Sequence, residues 1–260
     1  MTESAAGRPM EVELKYRMTG VAPGDRLIGA DELAGLLALG PAEEVRQEDR
    51  YLDTDDAALA AAGYAGRLRS TDDGTVVTLK GLRREDTGGV AHRRAELEGP
   101  ADLGAPAASW PESAARDMVL AIAGDRPLAE LVVLRQVRRK RLYGLDGAVV
   151  ELSVDDVEVV AGGEVIERFA ELEAELRKGD EAALEPLADL LDGIEELVPA
   201  ETSKLERALD AVRRERSSAA SDGAPAAGVD ASATATARTA DAPIAAPKPE
   251  PRLTAPKTPG

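Results

Sequence analysis

Cysteine is absent from this chain, which excludes disulfides and thiolate metal sites and suits a cytoplasmic protein. Histidine occurs once, at His92, so histidine-based triads and zinc sites are not available. His92 itself, beside a charged strand in "VAHRRAE", reads as a surface or rim residue. Aromatic residues are 2% of the chain. The core must therefore be Leu, Val and Ala, and a π-face for stacking a base or a thiazolium is scarce. Trp110 sits in a Pro-rich loop and reads as packing. No run of about 18 uncharged apolar residues exists to span a bilayer, and "MTESAAGRPMEVE" has no apolar stretch of the signal-peptide kind. There is no Gly-rich phosphate loop and no internal repeat. The net charge of −17 argues against a nucleic-acid binder, although a local basic pocket can sit inside an acidic shell.

What is present divides the 260 residues unevenly. Residues 1–9 read as a flexible lead-in and 10–216 as one folded domain. From Ser217 to Gly260 the composition turns to Ala, Pro, Ser and Thr, the signature of a disordered tail or linker. Within the domain, alternation predicts strands at about 10–18, 65–71, 74–82, 91–98, 132–144, 147–154, 156–161 and 164–177. Asp73-Gly74, Gly88-Gly89, Asp146-Gly147 and Gly162-Gly163 supply hairpin turns. Helices fit at about 30–39, 55–62, 112–123, 180–192 and 201–216. Hairpin strands with inserted helices imply an α+β fold with a mostly antiparallel sheet.

The strands share a peculiarity. In "MEVELKY", Glu11, Glu13 and Lys15 alternate with Val12, Leu14 and Tyr16, so one face is apolar and the other charged. "GRLRS" sets Arg67 and Arg69 on one face. "VTLKG" gives Lys80, "RAELEG" gives Arg94, Glu96 and Glu98, and "RKRLY" gives Arg139 and Arg141. "VELSVDD" aligns Glu151, Ser153 and Asp155, and "FAELEAEL" aligns Glu171, Glu173 and Glu175. Charges on an open sheet would simply face water. Yet these outward positions are almost purely Arg and Glu, and Arg suits bidentate phosphate recognition. If the sheet closes into a barrel with helices outside, the charged faces line a tunnel. Such a lumen suits a polyanion with divalent cations, Arg and Lys taking phosphate oxygens and carboxylates the metal.

Taken in order, these motifs resemble the CYTH superfamily, the triphosphate tunnel metalloenzymes. Glu11-Val12-Glu13-Leu14-Lys15 matches its ExExK opening, and the likeness continues through "ELEAELRKG" and "SKLERAL", over about residues 10–210. Within the superfamily the chain looks most like bacterial inorganic triphosphatases, in which a helical phosphate-binding (CHAD) domain often follows a linker. The resemblance implies an eight-stranded antiparallel β-barrel tunnel with helices packed outside, in which water attacks a terminal phosphate of tripolyphosphate or a nucleoside triphosphate with Mg²⁺ or Mn²⁺. By position it makes Lys15, Arg67, Arg69, Lys80, Arg94, Arg139 and Arg141 the triphosphate binders, with Lys15, Arg139 and Arg141 nearest the chemistry. Lys204, in "SKLER", reaches in from the last helix. Glu11, Glu13, Asp155, Glu171 and Glu173 become metal ligands, with Glu96, Glu98 and Glu151 behind them. Relatives often show a Lys where Arg139 stands, which leaves the register of Arg138 to Arg141 open, and an arginine cannot act as a base.

Three other functions fit the same scaffold. A class IV adenylate cyclase usually carries a His-Phe pair shortly before ExExK, where this chain has "ESAAGRP". A thiamine triphosphatase needs a platform for its organic end, and aromatics are few. A non-catalytic polyphosphate binder would not need so many carboxylates.

Overall fold

The computed structural model describes residues 10–83 and 91–222. The lead-in 1–9, the Gly88-Gly89 turn and residues 223–260 lie outside the described residues, while 217–222, expected to open the disordered tail, continue the last helix. In chain order the elements are β1 (Met10–Met18), α1 (Ala22–Gly29), β2 (Glu32–Leu33), β3 (Leu36–Ala38), β4 (Glu43–Asp53), α2 (Ala58–Ala61), β5 (Tyr64–Thr71) and β6 (Gly74–Gly81). Then come β7 (His92–Pro100), α3 (Ala114–Ala123), β8 (Ala129–Leu145), β9 (Ala148–Ala161), β10 (Glu164–Lys178), α4 (Glu185–Asp192), β11 (Leu197–Pro199) and α5 (Lys204–Asp222).

Eight antiparallel strands, in the order β8-β4-β5-β6-β7-β1-β10-β9, close into a barrel through the β8–β9 pairing. The short β2–β3 hairpin extends β8, and β11 pairs with β1. Closure inverts the usual arrangement of a small barrel: the apolar faces point outward and are covered by helices, and the charged faces point inward. Val12, Leu14 and Tyr16 of β1 and Leu152, Val154, Leu172 and Ala174 of β9 and β10 pack beneath α1 and α4. On the far side Leu68, Val77 and Leu79 pack against α3 and Trp110, whose indole N–H donates to the carbonyls of Asp102 and Ala105.

Four elements differ from the sequence reading. "ADELAGLLAL" has helix-forming composition but folds as the β2–β3 hairpin. Ala34 (φ 49°) and Gly35 (φ 85°) make a turn with two positive φ angles, the geometry of a tight hairpin, and pairing of Leu37 and Ala38 with β8 overrides local propensity. The helix of this region lies earlier, at α1, with proline in its first turn. β4 is new: "EEVRQEDRYLD" shows no apolar alternation because its outward face, Glu44, Arg46, Glu48 and Arg50, is polar too, opposite inward Val45, Gln47, Asp49 and Tyr51. Finally, the two strands expected at 147–154 and 156–161 are one unbroken strand, β9, paired along its length to β10 and β8.

Candidate active site: a charged barrel lumen

α5 decides the shape of the lumen. Its Leu205, Ala208, Leu209, Ala211 and Val212 pack against inward-facing Tyr51, Leu134, Val157 and Phe169 and close one end of the barrel with an apolar plug. The opposite end, ringed by Lys140, Glu151, Glu175 and Arg177, meets solvent. Between them lies a cavity of about 350 Å³.

Each strand delivers its charges by alternation. β1 contributes Glu11, Glu13 and Lys15; β5 contributes Arg67 and Arg69; β6 Lys80; β7 Arg94, Glu96 and Glu98; β8 Arg138 and Lys140; β9 Glu151; and β10 Glu173, Glu175 and Arg177. Lys204 enters from the first turn of α5. A capping box holds that turn in place: Ser203 N–H donates to Glu206 at 2.7 Å and Glu206 N–H to Ser203 Oγ at 3.2 Å. A lysine at a helix N-terminus is locally unfavourable, and here lumen carboxylates compensate it. Lys204 Nζ donates to Asp155 Oδ2 at 2.6 Å and to Glu173 Oε1 at 2.9 Å.

The sequence reading is corrected on β8. Arg139 and Arg141 point out of the barrel. Arg139 pairs with Asp25 of α1 at 2.6 Å, and Arg141 donates to the carbonyls of Gly40, Ile28 and Ala30. The inward positions are Gln136, Arg138 and Lys140, set by the pairing of Arg138 with Asp155 across the β8–β9 ladder. Four consecutive cations, "RRKR", carry no alternation of their own. Tyr143 was the usable signal: it is fully buried on the outer face, and counting back in twos places Arg141 and Arg139 outside with it.

Two proposed metal ligands also sit differently from expectation. Asp155 and Glu171 lie beneath the cavity wall, essentially inaccessible, where Asp155 is gripped by Arg138 Nε at 2.7 Å and Nη2 at 2.6 Å. Glu11, Glu13 and Glu173 do line the cavity. The sequence reading missed Asp49 and Gln47 with the rest of β4, along with Gln136, Arg138, Lys140 and Arg177.

The charges are paired throughout. Lys80 Nζ donates to both oxygens of Glu11, at 2.7 and 2.9 Å. Arg94 donates to Glu13 at 3.0 Å, and Lys15 lies 2.9 Å from Glu173. Burial disfavours charge on Lys15, but Glu173, Glu13 and Glu171 outweigh it and hold the ammonium above the usual lysine range. Burial likewise opposes ionisation of Glu173, yet Lys15, Lys204 and Arg138 keep its carboxyl well below the usual range. Glu171 is the exception: burial raises it, and Lys15 and Lys204, each 3.7 Å away, offset only part of that. At the mouth, burial pushes Glu175 up to about 7.

Among the described residues no three acidic side chains converge into a ready-made metal site. The donor chemistry nevertheless fits a hard divalent cation: the anionic ligands on offer are all carboxylate oxygens, and Glu171 Oε2 is a buried acceptor with no donor. The lumen also fits an anion, because Arg67 Nε and Arg94 Nε are buried donors with no acceptor. A polyanion entering this space would take over Lys and Arg, releasing carboxylates that a divalent cation could then occupy.

Residues 9–209 match the family model described as the CYTH domain, and the chain belongs to that family. No curated protein sequence matches it. Among solved structures it is similar to a Hippeastrum protein presented as a candidate adenylyl cyclase with dominant triphosphatase activity (TM-score 0.55, 22% identity, 75% of this chain and 93% of that one). A candidate adenylate cyclase from Bacillus halodurans follows at TM-score 0.46 and 18% identity, over 76% and 97% of the two chains. The Mimivirus capping-enzyme triphosphatase gives TM-score 0.41 and 14% identity, over 70% and 87%. At 22% identity the first of these likenesses speaks for the fold alone. Among the described residues no helix is long and apolar enough to cross a membrane.

Proposed function

We propose that the chain is a metal-dependent hydrolase that splits inorganic triphosphate into pyrophosphate and phosphate inside the barrel. The observation that carries this reading is the cavity wall: Lys and Arg interleaved with Glu around its circumference, with Tyr51 the single aromatic among the described lining residues. That wall matches a guest made of phosphoryl groups and metal, and it offers little to an adenine or a thiazolium. In this reading Lys15, Arg67, Arg69, Lys80, Arg94, Arg138, Lys140 and Lys204 clamp and neutralise the phosphoryl oxygens. Held in register by the barrel, they bring the electrostatic stabilisation into place before the reaction begins.

Mg²⁺ or Mn²⁺ would be held by Glu11, Glu13 and Glu173, supplying charge neutralisation and an activated water. The apolar plug of α5 keeps solvent out of one end. Three of the family's possible activities separate in one experiment: phosphate release from tripolyphosphate, ATP and thiamine triphosphate side by side, with Mg²⁺ and with Mn²⁺. The expected result is that tripolyphosphate turns over fastest by a wide margin and that ATP yields no cyclic AMP. Cyclic AMP as the main product would replace this reading with the cyclase.

A further inference from the structure

We propose that Asp49 is a positioning residue for substrate binding, holding Arg69, and more loosely Arg67, in the orientation that receives phosphoryl oxygens, with Gln136 as its buttress. The proposal rests on the triphosphate reading above.

Asp49 stands directly opposite Arg69 in the β4–β5 ladder. Its Oδ1 accepts from Arg69 Nε at 2.7 Å and its Oδ2 from Arg69 Nη2 at 2.8 Å, a two-point grip on one edge of the guanidinium. Oδ2 also accepts from Gln136 Nε2 at 2.7 Å, from the neighbouring strand β8, and from Arg67 Nη1 at 3.5 Å. Asp49 is fully buried and does not line the cavity, whereas Arg67 and Arg69 both do. It therefore cannot touch the substrate. Nor is it placed to hold a metal, because both oxygens are already engaged by cationic and amide donors. The grip uses the Nε and Nη2 edge of Arg69, leaving Nη1 uncommitted among the described residues. An arginine held this way before the anion arrives gives up less rotamer freedom on binding than a loose one.

Asp49→Asn keeps the shape but replaces one acceptor with an amide N–H₂ that meets the donors of Arg69 and Gln136. The test is a double-mutant cycle: wild type, Asp49→Asn, Arg69→Ala and the combined variant. Tripolyphosphate binding is measured by calorimetry without divalent metal, and folding is checked by thermal melting. If Asp49 acts through Arg69, Asp49→Asn weakens binding about tenfold, roughly 1.4 kcal/mol, while the combined variant binds within about twofold of Arg69→Ala alone. Wild-type affinity in Asp49→Asn, or a full further loss when it is added to Arg69→Ala, overturns the proposal. Should Asp49→Asn fail to fold, Gln136→Leu takes its place. A loss of about threefold that disappears in the Arg69→Ala background supports the assignment, and unchanged affinity contradicts it. No binding by wild type would strike at the triphosphate reading itself, and the proposal would fall with it.

Discussion

The two walls of the lumen are built from the same alternation yet differ in charge. On the β4–β6 side, Arg67, Arg69 and Lys80 face the cavity and Asp49 stands behind them, already saturated. On the side formed by β1, β9 and β10, carboxylates dominate. Glu11, Glu13, Glu151, Glu173 and Glu175 line the cavity, and Lys15, Arg138 and Lys204 are threaded between them. One wall presents mainly cations to the cavity, although Lys80 is held by Glu11 across it. In the proposed reading the other becomes a cation site only when its own lysines and arginines are drawn off by something more negative. In that reading cations of both walls hold phosphate and only the second wall holds metal, so loss of the metal can be told from loss of phosphate binding by experiment.

The largest expected effect comes from removing the metal. Chelation of divalent cations should cut tripolyphosphate turnover by more than about 10³-fold, several kcal/mol of transition-state stabilisation. Equilibrium binding on the cation-rich wall should weaken by no more than about tenfold. Parallel loss of binding and turnover would mean the walls do not act separately.

Next in size is the contrast between neighbours on β8. Arg138→Ala, inside the lumen, should lower kcat/KM by about 10²-fold, whereas Arg139→Ala, outside against Asp25, should leave it within about twofold. Steady-state kinetics of the two variants decides it; a larger loss at Arg139 would place β8 in the opposite register, and equal effects would contradict the contrast.

The smallest effect concerns pH. Burial opposes ionisation of Asp49, but Arg67 and Arg69 outweigh it and hold its carboxyl below the usual range. Its folded pKa is thus lower than its unfolded value of about 3.9. The stability it contributes is present above that value and is lost as pH falls towards the folded one. The stability gap between wild type and Asp49→Asn should be constant above about pH 5 and narrow below about pH 4. Denaturant unfolding of both proteins from pH 7 to pH 3 measures it, and a gap that stays constant down to pH 3 would contradict the pairing.

How much of this was legible in the sequence depended on whether a strand carried an apolar face. β1, β5, β6, β7 and β10 alternate Leu, Val or Ala with charge, and their inward residues could be named in advance. β4 could not be found that way, since its outward face is Glu44, Arg46, Glu48 and Arg50, as polar as the buried Gln47 and Asp49, and with it Asp49 escaped notice. On β8 the run from Arg138 to Arg141 hides the register, which the pairing with Asp155 supplies. Asp155 and Glu171 had the right parity, but depth within the barrel is set by strand tilt and by the plug of α5. Neither is written in local alternation.

The central claim is that the charged face opening the chain looks into a working site. Glu11→Gln tests it with little cost to the fold, because Lys80 keeps Glu96 at 3.4 Å when Glu11 loses its charge. The measurement is tripolyphosphate turnover of Glu11→Gln beside wild type with saturating Mg²⁺, together with thermal unfolding of both. The account predicts turnover down by about 10³-fold and a melting temperature within about 5 °C of wild type. Turnover near wild type in a folded Glu11→Gln would mean that this carboxylate faces the lumen without serving it, and the catalytic reading of the barrel would be contradicted.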